Sequence, residues 1–145
     1  MASQIRRESV LANFRPSVTE RDREKRTRKS AQERREGNCE KYAALLRQCP
    51  CVVTLKMPAG QIHHLKAGPA RSERGVQMRA TDRWALPMSY AAHILGVETV
   101  GSRREHEWFR EHGIADPYAL AEALWNAPRD VAVMTRIILA HRERA

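Results

Sequence analysis

The stretch from Thr19 to Glu36 constrains the rest of the chain most. It carries eight basic side chains (Arg21, Arg23, Lys25, Arg26, Arg28, Lys29, Arg34, Arg35) and five acidic ones (Glu20, Asp22, Glu24, Glu33, Glu36), with no large apolar residue among them. Such a segment has almost no apolar surface to bury, so it cannot supply a core. At best it forms a solvated helix laced with i,i+4 ion pairs. Folding must therefore be carried by the residues after Gly37, and the chain divides into a basic arm, residues 1–37, and a domain over 38–145. At 145 residues in all, that domain is long enough for a real core.

Charge sharpens the division. Residues 1–41 hold 12 basic and 7 acidic side chains, and residues 42–145 hold 14 and 10, so about half of the +9 excess sits in less than a third of the chain. Clustered Lys and Arg bind phosphate backbones through counterion release, which points to DNA or RNA; a solubilising tail is the plainer alternative. Other classes fall away. No apolar run approaches the ~18 residues of a membrane span. The first residues run straight into Arg6 and Arg7 without the apolar stretch of a signal peptide. Cys39, Cys49 and Cys51 are odd in number and bunched, which argues against a secreted disulfide scaffold and for a reducing cytoplasm.

Within the domain the pattern is α+β and mainly helical. Asn38 is positioned to cap a short helix, Cys39 to Gln48, that Pro50 stops. The β-branched run Cys51 to Leu55 reads as a strand, with Gln61 to Leu65 returning beside it as a hairpin. Residues 67–78 lack periodicity and read as a long loop. Trp84 to Met88 is extended, and Ser89 caps a helix through about Leu95 that carries His93. Ser102 and Glu105 have the spacing of a capping box, with Gly113 as the stop. Asp116-Pro117 opens a helix bearing Leu120, Leu124 and Trp125, and Pro128 opens the last one, with Val131, Met134, Ile137 and Ile138 on its apolar face.

Three histidines could carry chemistry: His63 and His64 on the strand, and His93 on the helix that comes after it. Imidazole is a common ligand for divalent transition metals and a natural base near neutral pH. Consecutive strand residues point to opposite faces, so both can serve one site only if the strand is twisted or bulged. Spacing alone leaves structural histidines open as the reading.

Residues 48 to 126 go further. The segments Pro50-Cys51-Val52-Val53-Thr54, Ile62-His63-His64-Leu65, Asp82-Arg83-Trp84-Ala85-Leu86-Pro87-Met88-Ser89 with His93, and Glu107-Trp108-Phe109-Arg110-Glu111-His112-Gly113-Ile114-Ala115-Asp116-Pro117 resemble a family of small phage and prophage proteins. These are the HNH-like proteins related to the recombination-enhancement nuclease, of the ββα-metal superfamily. The resemblance implies that the hairpin and the His93 helix form the ββα element, and that DNA is nicked or cut with a divalent metal in a bacterial host cytoplasm. It implies His64 as the general base and His63 and His93 as metal ligands. Lys66, Arg71, Arg74, Arg79 and Arg83 would contact phosphates, alongside Arg21, Arg23, Lys25, Arg26, Arg28 and Lys29 of the arm. Arg79 or Arg83 would stabilise charge on the phosphorane, and Asp82 would pair with a nearby arginine.

The chain also departs from that pattern. Family members with a structural zinc carry a C-x2-C pair and a cysteine before the helix. Thr54 and Ser89 stand in those places, so no cysteine-based zinc site is expected. A further histidine usually stands one turn after the position of His93, and here Val97 occupies it. Glu98 is adjacent and could substitute, but it points about 100° around an α-helix. With two imidazoles alone, Mg²⁺ or Mn²⁺ is expected ahead of tightly held Zn²⁺. Two other functions stay open on the sequence. One is a non-catalytic DNA-binding protein on a degenerate HNH scaffold, acting in regulation, packaging or recombination. The other is a module that binds a phage or host protein through its C-terminal helices.

Overall fold

The computed structural model describes residues 19–33, 37–73 and 78–143, and the chain divides into two units, Met1–Gln32 and Glu33–Ala145. Helix α1, Glu20–Glu33, belongs to the first except for its last residue. Thr19 and Asp22 open it reciprocally: the Asp22 N–H donates to Thr19 Oγ1 at 3.3 Å, and Thr19 Oγ1 donates back to Asp22 Oδ2 at 2.6 Å. Arg21, Arg23, Lys25 and Arg26 on α1 are exposed, so the first turns of the basic run form a solvated helix.

The second unit is a small α+β domain. Its elements are α2 (Glu40–Gln48), β1 (Gln61–His64), α3 (Gly68–Ser72), a 3₁₀ turn (Asp82–Trp84), β2 (Ala85–Met88), α4 (Tyr90–Ala92), a π turn (His93–Val97), α5 (Glu98–Glu111), α6 (Pro117–Asn126) and α7 (Val131–Glu143). β1 and β2 form an antiparallel pair with Gln61 opposite Met88 and His64 opposite Ala85. Tyr42 and Leu46 of α2, Leu65, Leu86 and Met88 of the sheet region, Phe109, Leu120 and Leu124, and Met134 and Ile138 of α7 are all fully buried in one core. Each such side chain contributes about 1.5–3 kcal/mol of transfer free energy. Among the described residues no helix is long and apolar enough to cross a membrane.

The hairpin differs from the sequence expectation. Cys51 to Leu55 is not a strand. The Cys51 N–H donates to the Lys56 carbonyl, the Leu55 N–H donates to the Cys51 carbonyl, and Leu55 sits at φ 60. The segment therefore curls on itself, and Val52 gives one bond to the sheet, to the Pro87 carbonyl at 3.0 Å. Its β-branched side chains are apolar because Val52 is core, not because the backbone is extended. The partner of β1 is instead the segment after the long connection, which includes the helical turn α3 in place of the structureless loop that the sequence suggests.

Local caps explain where the helices begin. Ser89 Oγ accepts from the Ala92 N–H, and Asp116 Oδ1 accepts from Tyr118 and Ala119 with Pro117 in the first turn, both as the sequence indicates. Asn38 does not cap α2; Cys39 holds that position without a side-chain bond, and Asn38 Oδ1 accepts from the Asp82 N–H at 3.1 Å. The last helix starts at Val131, with Asp130 Oδ1 accepting from the Val133 N–H at 2.9 Å, rather than at Pro128. Gly101, at φ 72 and ψ 173, breaks α5 in a conformation that side chains disfavour, so residues 98–100 and the helix from Ser102 onward can take different directions.

A candidate metal centre beside a histidine–aspartate pair

The alternation along β1 sets the site. Gln61 and His63 share one face and Ile62 and His64 the other, and the regular register shows no bulge. One cleft nevertheless takes lining from both sides. Ile62 and His64 come from one face; His93 and Glu98, which meet Gln61 and His63, come from the other, and Lys66, Met78, Arg79 and Ala80 complete a cavity of about 400 Å³. His64 thus lines the cleft directly, and the buried His63 reaches it only through Glu98 and His93, with no bulge in the strand.

His63 is 1 % exposed and held through one ring nitrogen. Its Nε2 lies 2.8 Å from Glu105 Oε1, and the same carboxylate accepts from the Lys66 N–H at 3.1 and 2.9 Å and from the Ala67 N–H at 3.1 Å. A carboxylate so supplied with donors is an acceptor, so Nε2 carries a ring proton, and in the neutral ring Nδ1 presents its lone pair. That Nδ1 is buried and lies 3.2 Å from Glu98 Oε1, off the line of a hydrogen bond, and is otherwise unpartnered. His93 is oriented in the same way. Its Nδ1 donates to Gln61 Oε1 at 2.9 Å, leaving the Nε2 lone pair 3.4 Å from Glu98 Oε1.

Two imidazole lone pairs and a carboxylate oxygen therefore converge, with ligand atoms of His63, His93 and Glu98 all within 4.8 Å of one another. Acceptors crowded together in a half-buried place are unfavourable unless a cation sits among them. Burial, reinforced by the neighbouring His63, holds the His93 imidazole below its usual range, so the proton that could relieve the crowding is disfavoured there. Burial by itself would raise the Glu98 carboxyl, but the hydrogen bond and charge of Lys66 outweigh it and keep Glu98 ionised. The donor set fits a divalent transition ion. The three cysteines are free; burial pushes the Cys49 thiol up to about 11, whereas at Cys51 burial is outweighed by hydrogen bonds with Thr54 and Ser89, which lower it.

Glu98 enters because the helix is not α-helical where it matters. Its N–H donates to the His93 carbonyl, an i→i−5 bond that defines the π turn. In an α-helix residue 98 would lie about 140° from residue 93; the wider turn brings it back above His93. Val97, which stands where an α-helical ligand would be sought, is buried in the core instead.

His64 has a separate partner. Its Nε2 lies 2.8 Å from Asp82 Oδ1, and Asp82 Oδ2 accepts from the Cys39 N–H at 2.9 Å. Asp82 thus pairs with the imidazole, and the charge of Arg79 acts on it as well. Burial holds His64 below the usual imidazole range despite Asp82, which leaves the ring neutral near pH 7 with Nδ1 unprotonated. Burial would raise the Asp82 carboxyl, but the bonds from His64 and Cys39 more than offset it.

The cations fall in different places. Arg79 lines the cleft beside His64, and Lys66 pairs with Glu98 at its edge. Arg71 is exposed on α3. Arg83 faces away, pairing with Glu122 at 2.9 Å and lying over the Trp84 ring. Arg74 and the side chains of Arg28 and Lys29 lie outside the described residues.

These shifts fix a pH dependence of stability. In the unfolded chain the two imidazoles take up protons near 6.5, whereas native His64 and His93 do so at lower pH. Below about 6.5 the unfolded state binds more protons, so stability is full above that pH and falls as the pH drops toward the native values. Asp82 and Glu98 extend the loss below their ordinary values of 3.8 and 4.5. The urea midpoint is expected to fall steadily between pH 7.5 and 5 in EDTA; a midpoint that rises on acidification contradicts the assignment.

Comparisons of the chain with models of protein families, with curated proteins and with solved structures find no match in any of the three.

Proposed function

We propose that this protein is a metal-dependent HNH-like DNA endonuclease or nickase of phage or prophage origin, with β1, β2 and the His93 helix as its ββα element. The observation that carries the reading is that one cleft is lined by His64, a neutral imidazole held by Asp82, and by His93 and Glu98, whose ligand atoms converge with that of the buried His63. The first is the arrangement of a general base, the second that of a cation site, and hydrolysis of a phosphodiester uses both.

In this reading Asp82 holds the Nε2–H of His64, so that Nδ1 takes the proton of the attacking water. His63 Nδ1, His93 Nε2 and Glu98 would hold a divalent cation, which supplies polarisation of the phosphate and neutralisation of developing charge. Arg79 on the cleft wall stabilises the negative charge that develops on the phosphoryl oxygens. The exposed Arg and Lys of α1 would hold the duplex backbone without reading sequence. Two nitrogen donors beside one oxygen favour Mn²⁺ over Mg²⁺, which prefers an all-oxygen shell.

The test is nicking of supercoiled plasmid with Mn²⁺, Mg²⁺ or EDTA, beside a gel shift at two salt concentrations. Nicking is expected with Mn²⁺, is abolished by EDTA, and is lost in His93→Ala, while DNA binding persists in EDTA and weakens with salt. Salt-sensitive binding without nicking in any metal would instead leave DNA recognition on a degenerate scaffold. Absence of both would turn attention to a protein partner.

A further inference from the structure

The two oxygens of Glu98 do different work. Oε1 faces the imidazoles, 3.2 Å from His63 Nδ1 and 3.4 Å from His93 Nε2, whereas Oε2 is paired with Lys66 Nζ. Lys66 is well placed to hold that oxygen. Its own N–H is fixed on both oxygens of the buried Glu105, which anchors its backbone at the end of β1. Side chains of both Lys66 and Glu98 are about two-thirds shielded, at 32 % and 31 % exposure, so the pair is not a freely hydrated surface contact.

Resting on the metal-centre reading above, we infer that Lys66 is a positioning residue: it occupies Glu98 Oε2 so that the carboxylate meets the cation through Oε1 alone. A carboxylate able to turn both oxygens on the ion would fill one more coordination position. With three single-atom ligands, positions stay open for water and a phosphate oxygen, which a hydrolytic centre requires. The choice of lysine fits this role. An ammonium is a compact point charge that can take one oxygen, whereas the planar fork of arginine matches both oxygens of a carboxylate at once. This role differs from a plain phosphate contact, because the Lys66 charge is spent on Glu98.

Calorimetric titration with Co²⁺, together with the visible absorption of the Co²⁺ form, separates the possibilities in the full chain. Lys66→Met is expected to bind Co²⁺ about tenfold more tightly, as loss of a unit positive charge close to the ion implies. Its absorption should move toward the weaker bands of higher coordination, and its plasmid nicking should be slower. Lys66→Arg is expected to bind more weakly than wild type, because its fork competes for Oε1. Gel shifts in EDTA should be unchanged in Lys66→Met. Circular dichroism of each variant establishes that it is folded. If Lys66→Met keeps the wild-type Co²⁺ affinity and spectrum but loses DNA affinity in EDTA, Lys66 is a phosphate contact and the inference is overturned; weaker Co²⁺ binding in Lys66→Met overturns it as well. His93→Ala is the control for the underlying centre. If it binds Co²⁺ as the wild type does, or the wild type binds none, the metal-centre reading itself has failed.

Discussion

Replacing His64 by alanine is expected to lower metal-dependent nicking by about 10²–10⁴-fold, the usual contribution of a positioned general base. The expectation rests on two features of the ring. Its Nε2 is held by Asp82 at 2.8 Å, and burial leaves it neutral near pH 7, so the Nδ1 lone pair is the available base. Co²⁺ affinity should be unchanged, because His64 lies outside the group of converging ligand atoms. Asp82→Asn should be milder. The amide can still accept from Nε2–H, but the charge that favours protonation of the ring is gone, so the rate should fall without collapsing. The two variants, each assayed for single-turnover nicking and for Co²⁺ binding, check this together. A His64→Ala protein that nicks at the wild-type rate rules the residue out as the base. One that loses Co²⁺ in parallel with activity makes it a ligand instead.

How much is legible in the sequence depends on how local each signal is. Asp116-Pro117 and Ser89 mark helix starts through bonds that span two or three residues, and both are found where the sequence puts them. Histidines declare themselves by type, so His63, His64 and His93 stand out as candidates at once. The carboxylates around them do not. Glu98 depends on a π turn, which shifts the phase of one residue and has no signature in side-chain periodicity. Asp82 meets His64 only because the long connection from β1 returns through the 3₁₀ turn, a contact 18 residues apart in sequence. The strand expected at Cys51 to Leu55 fails for a related reason. Val52 and Val53 satisfy a β-propensity pattern, yet the segment's hydrogen bonds close within its own turn, and burial alone accounts for its apolar character.

Glu105 shows how far a sound local pattern can mislead. Ser102 and Glu105 have capping-box spacing, but the carboxylate turns inward and is 1 % exposed, holding His63 Nε2 and the N–H groups of Lys66 and Ala67. Glu105→Ala would leave three donors without their acceptor, the buried His63 Nε2–H and the part-buried N–H groups of Lys66 and Ala67. Each orphaned donor costs about 1–3 kcal/mol, so three of them together cost about 3 kcal/mol or more. Against a total stability of about 5–15 kcal/mol for a domain, that is among the largest losses a single substitution here can cause. The measurement is urea denaturation followed by far-ultraviolet circular dichroism, and a loss under about 1 kcal/mol would contradict the network. Glu105→Gln separates orientation from stability. Its carbonyl oxygen can still accept, so the fold should survive, while the amide can no longer fix the His63 tautomer as an anion does. Loss of such a partner behind a metal-ligating imidazole lowers metal affinity by about 10–100-fold. A folded Glu105→Gln protein should therefore bind Co²⁺ more weakly by that factor, and one with wild-type affinity would show that Glu105 serves the fold alone.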